Sequence, residues 1–344
     1  MLVTRLAVMP LGRLATQIPS RVAQATPLRS AGLRFFTGSP FTVRSQSMAT
    51  RARAFKSRVG AREVDGTTSV ARGMAAISIG QGAAAGAALF GIGALCYYGL
   101  GLSSEPGALE KSVMWQDYVK ARIRDTYMYF GGGIIVTAAT AAAVFRSPTM
   151  LNLVAKNSWL AIGATFAAII GTNMITHSIP YSPGFGTKQL AWLTHAAVMG
   201  AVVAPLCFIG GPILMRAAWY TAGIVGGLSA VAVCAPSEKF LNMGGPLAIG
   251  LGVVFMASIG NMFIPPTGAL GLGLYSISMY GGLILFGAFL LYDTQHIIRK
   301  AETYPLYAAR PYDPVNASLR IYIDTLNIFI RIATLLSGGG SKRR

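Results

Sequence analysis

The chain is predicted to be an all-α polytopic membrane protein, on three observations. Of its 344 residues, 53% are hydrophobic and only 12% charged, whereas a soluble domain carries about 25% charge. Its mean hydropathy is +0.54. Apolar runs near the roughly 20 residues needed to cross hydrocarbon recur along it.

Taken in order, residues 1–62 contain ten arginines and Lys56, a dozen Ser/Thr and no acid. That is the composition of a mitochondrial presequence rather than a secretory signal. A positive segment is drawn toward a negative matrix by about 2.3 kcal/mol per charge per 100 mV. Arg34-Phe35-Phe36-Thr37 offers an arginine placed for processing; the alternative is a basic, unstructured tail that stays attached. The formal charge of +18 divides into +10 over residues 1–72 and +8 over 73–344. So basic a chain suggests nucleic acid, but the size of the apolar body makes targeting and matrix-side orientation the simpler account, and no nucleic-acid partner is expected.

A linker over 63–78 leads to a first span at 79–101 and a loop at 102–117. Further spans are predicted at 125–145, 157–177, 189–209, 216–235, 244–264 and 272–292, making seven. An eighth run, 318–337, carries Arg320, Asp324, Asn327 and Arg331, and either crosses fully or enters and returns within the bundle; a basic tail follows at 338–344. Trp159, Trp192 and Trp219 stand near the starts of spans, as interfacial anchors do. Gly82-xxx-Gly86 and Gly223-xxx-Gly227 are expected to let helices approach closely. Arg51 to Arg72, Arg146, Lys156 and Arg216 fall on one side, predicted to be the matrix. Cys96, Cys207 and Cys234 lie in apolar runs and suggest no disulfide framework.

The chemistry concentrates in two acids. Asp293 and Asp324 are the only acidic residues within strongly apolar stretches, where an ionised side chain is expensive and usually serves an ion or proton path. Arg320, Asp324, Asn327, Arg331 and Thr334 follow spacings of four, three, four and three, one stripe of a helix otherwise Leu, Ile and Phe. Hydrocarbon offers that stripe no partners, so it should face the bundle, where Asp293 at the end of the seventh span can meet Asp324. The join between them, with Pro305, Pro311 and Pro314, is expected to be flexible. Two close carboxylates share a proton and titrate as a coupled unit. Deprotonated, they suit a hard divalent cation such as calcium. The alternative is static: Asp324 pairs with Arg320, and Asp293 caps the interface beside His296. Asn173, His177 and His195 read as hydrogen-bonded packing before relay groups, and Glu238 with Lys239 as a loop ion pair. No metalloprotease, nucleophile-elbow, P-loop or zinc-cysteine signature occurs, so neither an enzyme nor a bound cofactor is expected.

Leu291-Tyr292-Asp293-Thr294-Gln295, followed by Tyr322-Ile323-Asp324-Thr325-Leu326-Asn327-Ile328-Phe329, resembles the closing signature of the transmembrane BAX inhibitor motif family. Ala94-Leu95-Cys96-Tyr97-Tyr98-Gly99-Leu100-Gly101, Arg216-Ala217-Ala218-Trp219-Tyr220-Thr221-Ala222-Gly223 and Ala235-Pro236-Ser237-Glu238-Lys239-Phe240-Leu241-Asn242-Met243-Gly244 are similar to its mitochondrial branch. The resemblance covers about residues 90–337. It implies a BAX-inhibitor-like core over 118–337 whose last, semi-polar helix is enclosed by the other six, with 79–101 as an extra transmembrane helix. It further implies that Asp293 and Asp324 form a pH-sensitive calcium dyad. Residence in the mitochondrial inner membrane, calcium–proton exchange, cristae organisation and cytochrome c retention are implied in the same way, with lipid, calcium, protons, cytochrome c and cristae-organising proteins as partners. Some relatives hold an arginine latch in the second core helix; 157–177 has no arginine, which leaves Arg320 or Arg331 to take that part. A non-transporting membrane organiser and anti-apoptotic scaffold is the competing class.

Overall fold

The long helices of this chain are α1 (Met74–Tyr98), α2 (Asp117–Arg146), α3 (Trp159–Ser178), α4 (Thr187–Val203), α5 (Gly211–Cys234), α6 (Gly244–Phe263), α7 (Ala269–Thr303) and α8 (Pro314–Gly339). The computed structural model describes residues 71–72, 74–94, 96–98, 107–154, 159–236 and 238–339. The predicted presequence over 1–62, with Arg34-Phe35-Phe36-Thr37, lies outside the described residues, as do Lys156, Lys342, Arg343 and Arg344. Among the described residues there is no strand, only an isolated bridge between Gly107 and Pro236. The protein is an all-α polytopic membrane protein.

The first seven of these helices are long and apolar enough to cross a membrane. Each overlaps a predicted apolar run, and some continue past it into polar residues, since a helix runs on beyond hydrocarbon while its backbone bonds stay intact. Some boundaries move by five residues or more, among them the start of α2, at Asp117 instead of 125. The helix α1 begins inside the predicted linker, at Met74, and α7 runs on to Thr303 instead of stopping near 292. Asp293 therefore sits within a helix and not at its end. The connection to α8 shrinks to 304–313, and it is pinned rather than loose: Arg122 of α2 donates to the Ala301 and Tyr304 carbonyls at 2.9 Å each, and the Tyr304 hydroxyl donates to the Arg310 carbonyl at 2.8 Å. The Arg122 guanidinium also lies 4.8 Å from the Tyr118 ring centre.

Helix directions alternate. In α3 and α4, Thr172 meets His195 and Lys188 meets Ile179, an antiparallel pair. In α2 and α4, Gln189 reaches Tyr129 and Thr137 reaches Ala196, a parallel pair. Parallel to α7 runs α1, with Gln81 donating to the Tyr280 hydroxyl at 3.0 Å and Ser276 donating to the Ala76 carbonyl at 2.8 Å. The helix α8 has no return turn, and its 26 residues rise about 39 Å, more than the roughly 30 Å of hydrocarbon. It is a full-length helix of the bundle and not a re-entrant one. From Ile321 to Ile328 every residue is buried, as expected of a helix enclosed on all sides. Its principal contacts are with α2, α5 and α7, while α3 packs mainly on α4 and α6 mainly on α7.

Several small residues do work other than that expected. A Cβ on Gly82, Gly86, Gly223 or Gly227 would meet nothing within 4 Å, so both spaced-glycine faces are open in the single chain. Close approach occurs instead at Gly200, where a Cβ would stand 2.6 Å from the Thr137 carbonyl oxygen. Trp192 is not an interfacial anchor: it is buried, 5.3 Å from the Tyr129 ring, in space left by Gly132 and Gly133 of α2. Trp219, by contrast, is 72% exposed on the outer face. Glu238 pairs with Arg299 at 3.2 Å, not with its neighbour Lys239.

Candidate functional site

The site is built where α7 and α8 lie antiparallel, a geometry fixed by Arg320 meeting Asp293 at one level and Arg331 meeting Ser278 at another. The four-three-four-three spacing holds Arg320, Asp324, Asn327, Arg331 and Thr334 on one face of unbroken α8. Asp293 and Asp324 are both wholly buried. Arg320 reaches across helices: its Nη1 lies 3.6 Å from Asp293 Oδ1. Asp324 stands on the same face as Arg320, so the stripe presents it to the stretch of α7 that carries Asp293. The His296 ring, one turn on from Asp293, stacks on Tyr292 at 6.0 Å.

Arg320 is 31% exposed, so one end of the stripe reaches solvent while the acids beyond it do not. Next on the stripe, Asn327 Nδ2 donates to the Ile323 carbonyl at 2.9 Å. Arg331 is only 2% exposed. Its Nε donates to the Ser278 carbonyl at 3.1 Å, and its Nη1 donates to the Asn327 carbonyl at 3.1 Å and to Asn327 Oδ1 at 3.0 Å. Its guanidinium carbon lies 4.6 Å from the Phe286 ring centre. Among the described residues no group of three or more His, Cys, Asp or Glu could hold a metal. The oxygen donors of this site are the Asp324 carboxylate and Asn327 amide of the stripe, the Asp293 carboxylate of α7 and backbone carbonyls, a hard set.

Sequence reasoning missed the ties at the exposed end. Lys188, its side chain fully buried, places Nζ 2.6 Å from Asp313 Oδ2 and donates to the Ile179 carbonyl at 2.8 Å. Asp313 Oδ1 accepts the Asn316 amide at 2.9 Å. A signal for half of this was present, since Asp313-Pro314 is an N-cap followed by proline at the first helical position. Gln295 was also passed over: it accepts the Phe240 amide at 2.8 Å and donates to the Ala232 and Pro236 carbonyls, holding the α5–α6 connection. On the opposite face of α8, the Tyr322 hydroxyl meets Thr137 at 2.6 Å. His195 is packed as expected, with Nδ1 2.9 Å from the Thr172 hydroxyl. Asn173 is buried on α3. Outside the spans, burial raises the Tyr312 phenol above its usual range.

These features define a class: a polytopic helical membrane protein whose last helix is enclosed by the bundle and carries one buried acid between two arginines, with a second buried acid on the helix before it. A family model described as "Inhibitor of apoptosis-promoting Bax1" matches residues 119–342, and the chain belongs to that family. It is 59% identical over 266 residues to the growth hormone-inducible transmembrane protein of Rattus norvegicus, covering 77% of each chain. It is 28% identical over 240 residues to an uncharacterised protein of Helicobacter pylori, covering 66% of this chain and 90% of that one. With Bax inhibitor 1 of Drosophila melanogaster it shares 26% over 231 residues, 65% of this chain and 84% of the relative.

Proposed function

We propose that this protein is a non-enzymatic calcium pathway of the mitochondrial inner membrane, exchanging calcium for protons or opening to calcium as pH rises. Asp293 and Asp324 serve as ligands and proton acceptors. The observation that carries the reading is that both acids are wholly buried on adjacent antiparallel helices while Arg320, the counter-charge of Asp293, reaches solvent. A buried carboxylate held by a partly exposed arginine is a latch. Release of Arg320 frees the Asp293 carboxylate to join Asp324 in binding a divalent cation, and protonation removes the charge that binds it. Calcium is cargo here, and no resident cofactor is required. The basic, acid-free first 62 residues support mitochondrial import, and the family resemblance supports cristae organisation and cytochrome c retention by the same chain.

A second reading, a non-transporting organiser and anti-apoptotic scaffold, is favoured by the two open glycine faces on α1 and α5. Calcium flux in proteoliposomes under an imposed pH gradient separates the two. The parent should carry proton-coupled flux, and Asp293→Asn and Asp324→Asn, at equal folded yield, should each lower it at least about tenfold, the loss of one charge-assisted interaction. Undiminished flux in both variants removes the acids from the path; no flux in the parent favours the organiser.

A further inference from the structure

Arg331 is the anomaly of the stripe. It is a buried cation whose hydrogen bonds all go to neutral oxygens of Ser278 and Asn327, and among the described residues no carboxylate lies within ion-pair distance of it. Membrane-embedded charge without a counter-ion is retained where it is used. The surroundings are shaped to receive it. Helix α7 widens into a π-turn at Ile277–Gly281, a local expansion that recurs at functional sites, and the carbonyl that accepts Arg331 belongs to that turn. The next residue is Gly282, where a Cβ would overlap Arg331 Nε. The turn is braced from two other directions: Ser258 of α6 meets the Ser278 hydroxyl at 2.8 Å, and α1 holds Ser276 and Tyr280 from outside.

Position along the stripe gives the charge its role. Arg331 follows Asp324 by seven residues, about 10 Å along the axis, on the side away from Arg320. We propose that Arg331, docked on the α7 π-turn, is a second closure: a fixed positive charge that seals the stripe to cations from the side on which α8 ends, so that in this conformation the acids are reached past Arg320 alone. A unit charge at about 10 Å in a protein interior suffices to slow the approach of a cation about tenfold. This deepens the ion-path reading and rests on it, but the test below reads access to the stripe and not calcium movement, so the two fail separately.

The test uses the full-length chain with Cys96, Cys207 and Cys234 replaced by alanine, a reporter Asp324→Cys, and a terminal tag that scores orientation in proteoliposomes. A membrane-impermeant trimethylammonium methanethiosulfonate and its sulfonate counterpart are applied from the side on which α8 ends. With Arg331 present, the cationic reagent should react slowly and the anionic one faster. Arg331→Gln should raise the cationic rate about tenfold and erase the preference, and Arg331→Lys should retain it. Gly282→Ala keeps the arginine but crowds it out of its seat, and should raise the rate as well, which guards against a glutamine variant that fails to fold. Fast cationic labelling with Arg331 in place, an equal rise for both reagents, or an unchanged rate in folded Arg331→Gln or Gly282→Ala would overturn the proposal.

Discussion

The two faces of α8 meet their surroundings on opposite terms. Toward α2 and α4, Val315, Leu319, Tyr322, Ile323 and Leu326 pack into one buried cluster with Trp192 and Met199, and the polar atom of Tyr322 has Thr137. Toward α7, the same helix carries Arg320, Asp324, Asn327 and Arg331, with Asp324 and Arg331 out of reach of solvent. Burying a packed aromatic is favourable; burying charge is expensive unless it is paired, and replacing it by neutral groups is often harmless to stability. The contrast separates a face that holds the bundle together from one kept for chemistry.

Substitutions on each face test that separation. The largest loss of stability should come from the packed face: Tyr322→Ala removes a buried ring and should lower stability by about 3–5 kcal/mol, read as thermal unfolding in detergent. Lys188→Met, which leaves Asp313 beside a vacated buried partner at the start of α8, should cost about 3 kcal/mol. Tyr322→Phe keeps the ring and loses only the contact with Thr137, about 1 kcal/mol. On the polar face, Asp293→Asn should change stability by less than about 1 kcal/mol, because Arg320 is free to turn toward solvent, even as flux falls. A large loss of stability there would make the acid a strut and erase the distinction. The smallest change is expected from Glu238→Gln, whose pairing with Arg299 is solvent-exposed and should contribute under about 0.5 kcal/mol.

Much of this was legible in the chain. Spans are written in continuous apolar runs, because lipid demands them residue by residue, and the stripe on α8 is written in its spacing. Helix-to-helix pairing is not. Spacing alone allowed Arg320 to sit on Asp324, one turn away, and only the antiparallel approach of α7 brings it to Asp293. Trp192 sits at a span start like an anchor, but whether a tryptophan faces lipid or protein depends on the neighbouring helix, here on Gly132 and Gly133. The glycine motifs misled for the same reason: a small residue permits close approach without requiring it. Lys188 with Asp313 was hidden because an apolar span gives no hint that its first lysine turns inward. The π-turn has no local signature and becomes visible only when Arg331 is found seated on it.

The short connection between α7 and α8 is moored twice at one end, to α2 through Arg122 and to α4 through Lys188. At the far end the same two helices meet over Gly282 and a widened turn. A hairpin tied at its bend by loop contacts and at its far end by one seated arginine has its two grips on either side of the acids, so either grip can be loosened without untying the other.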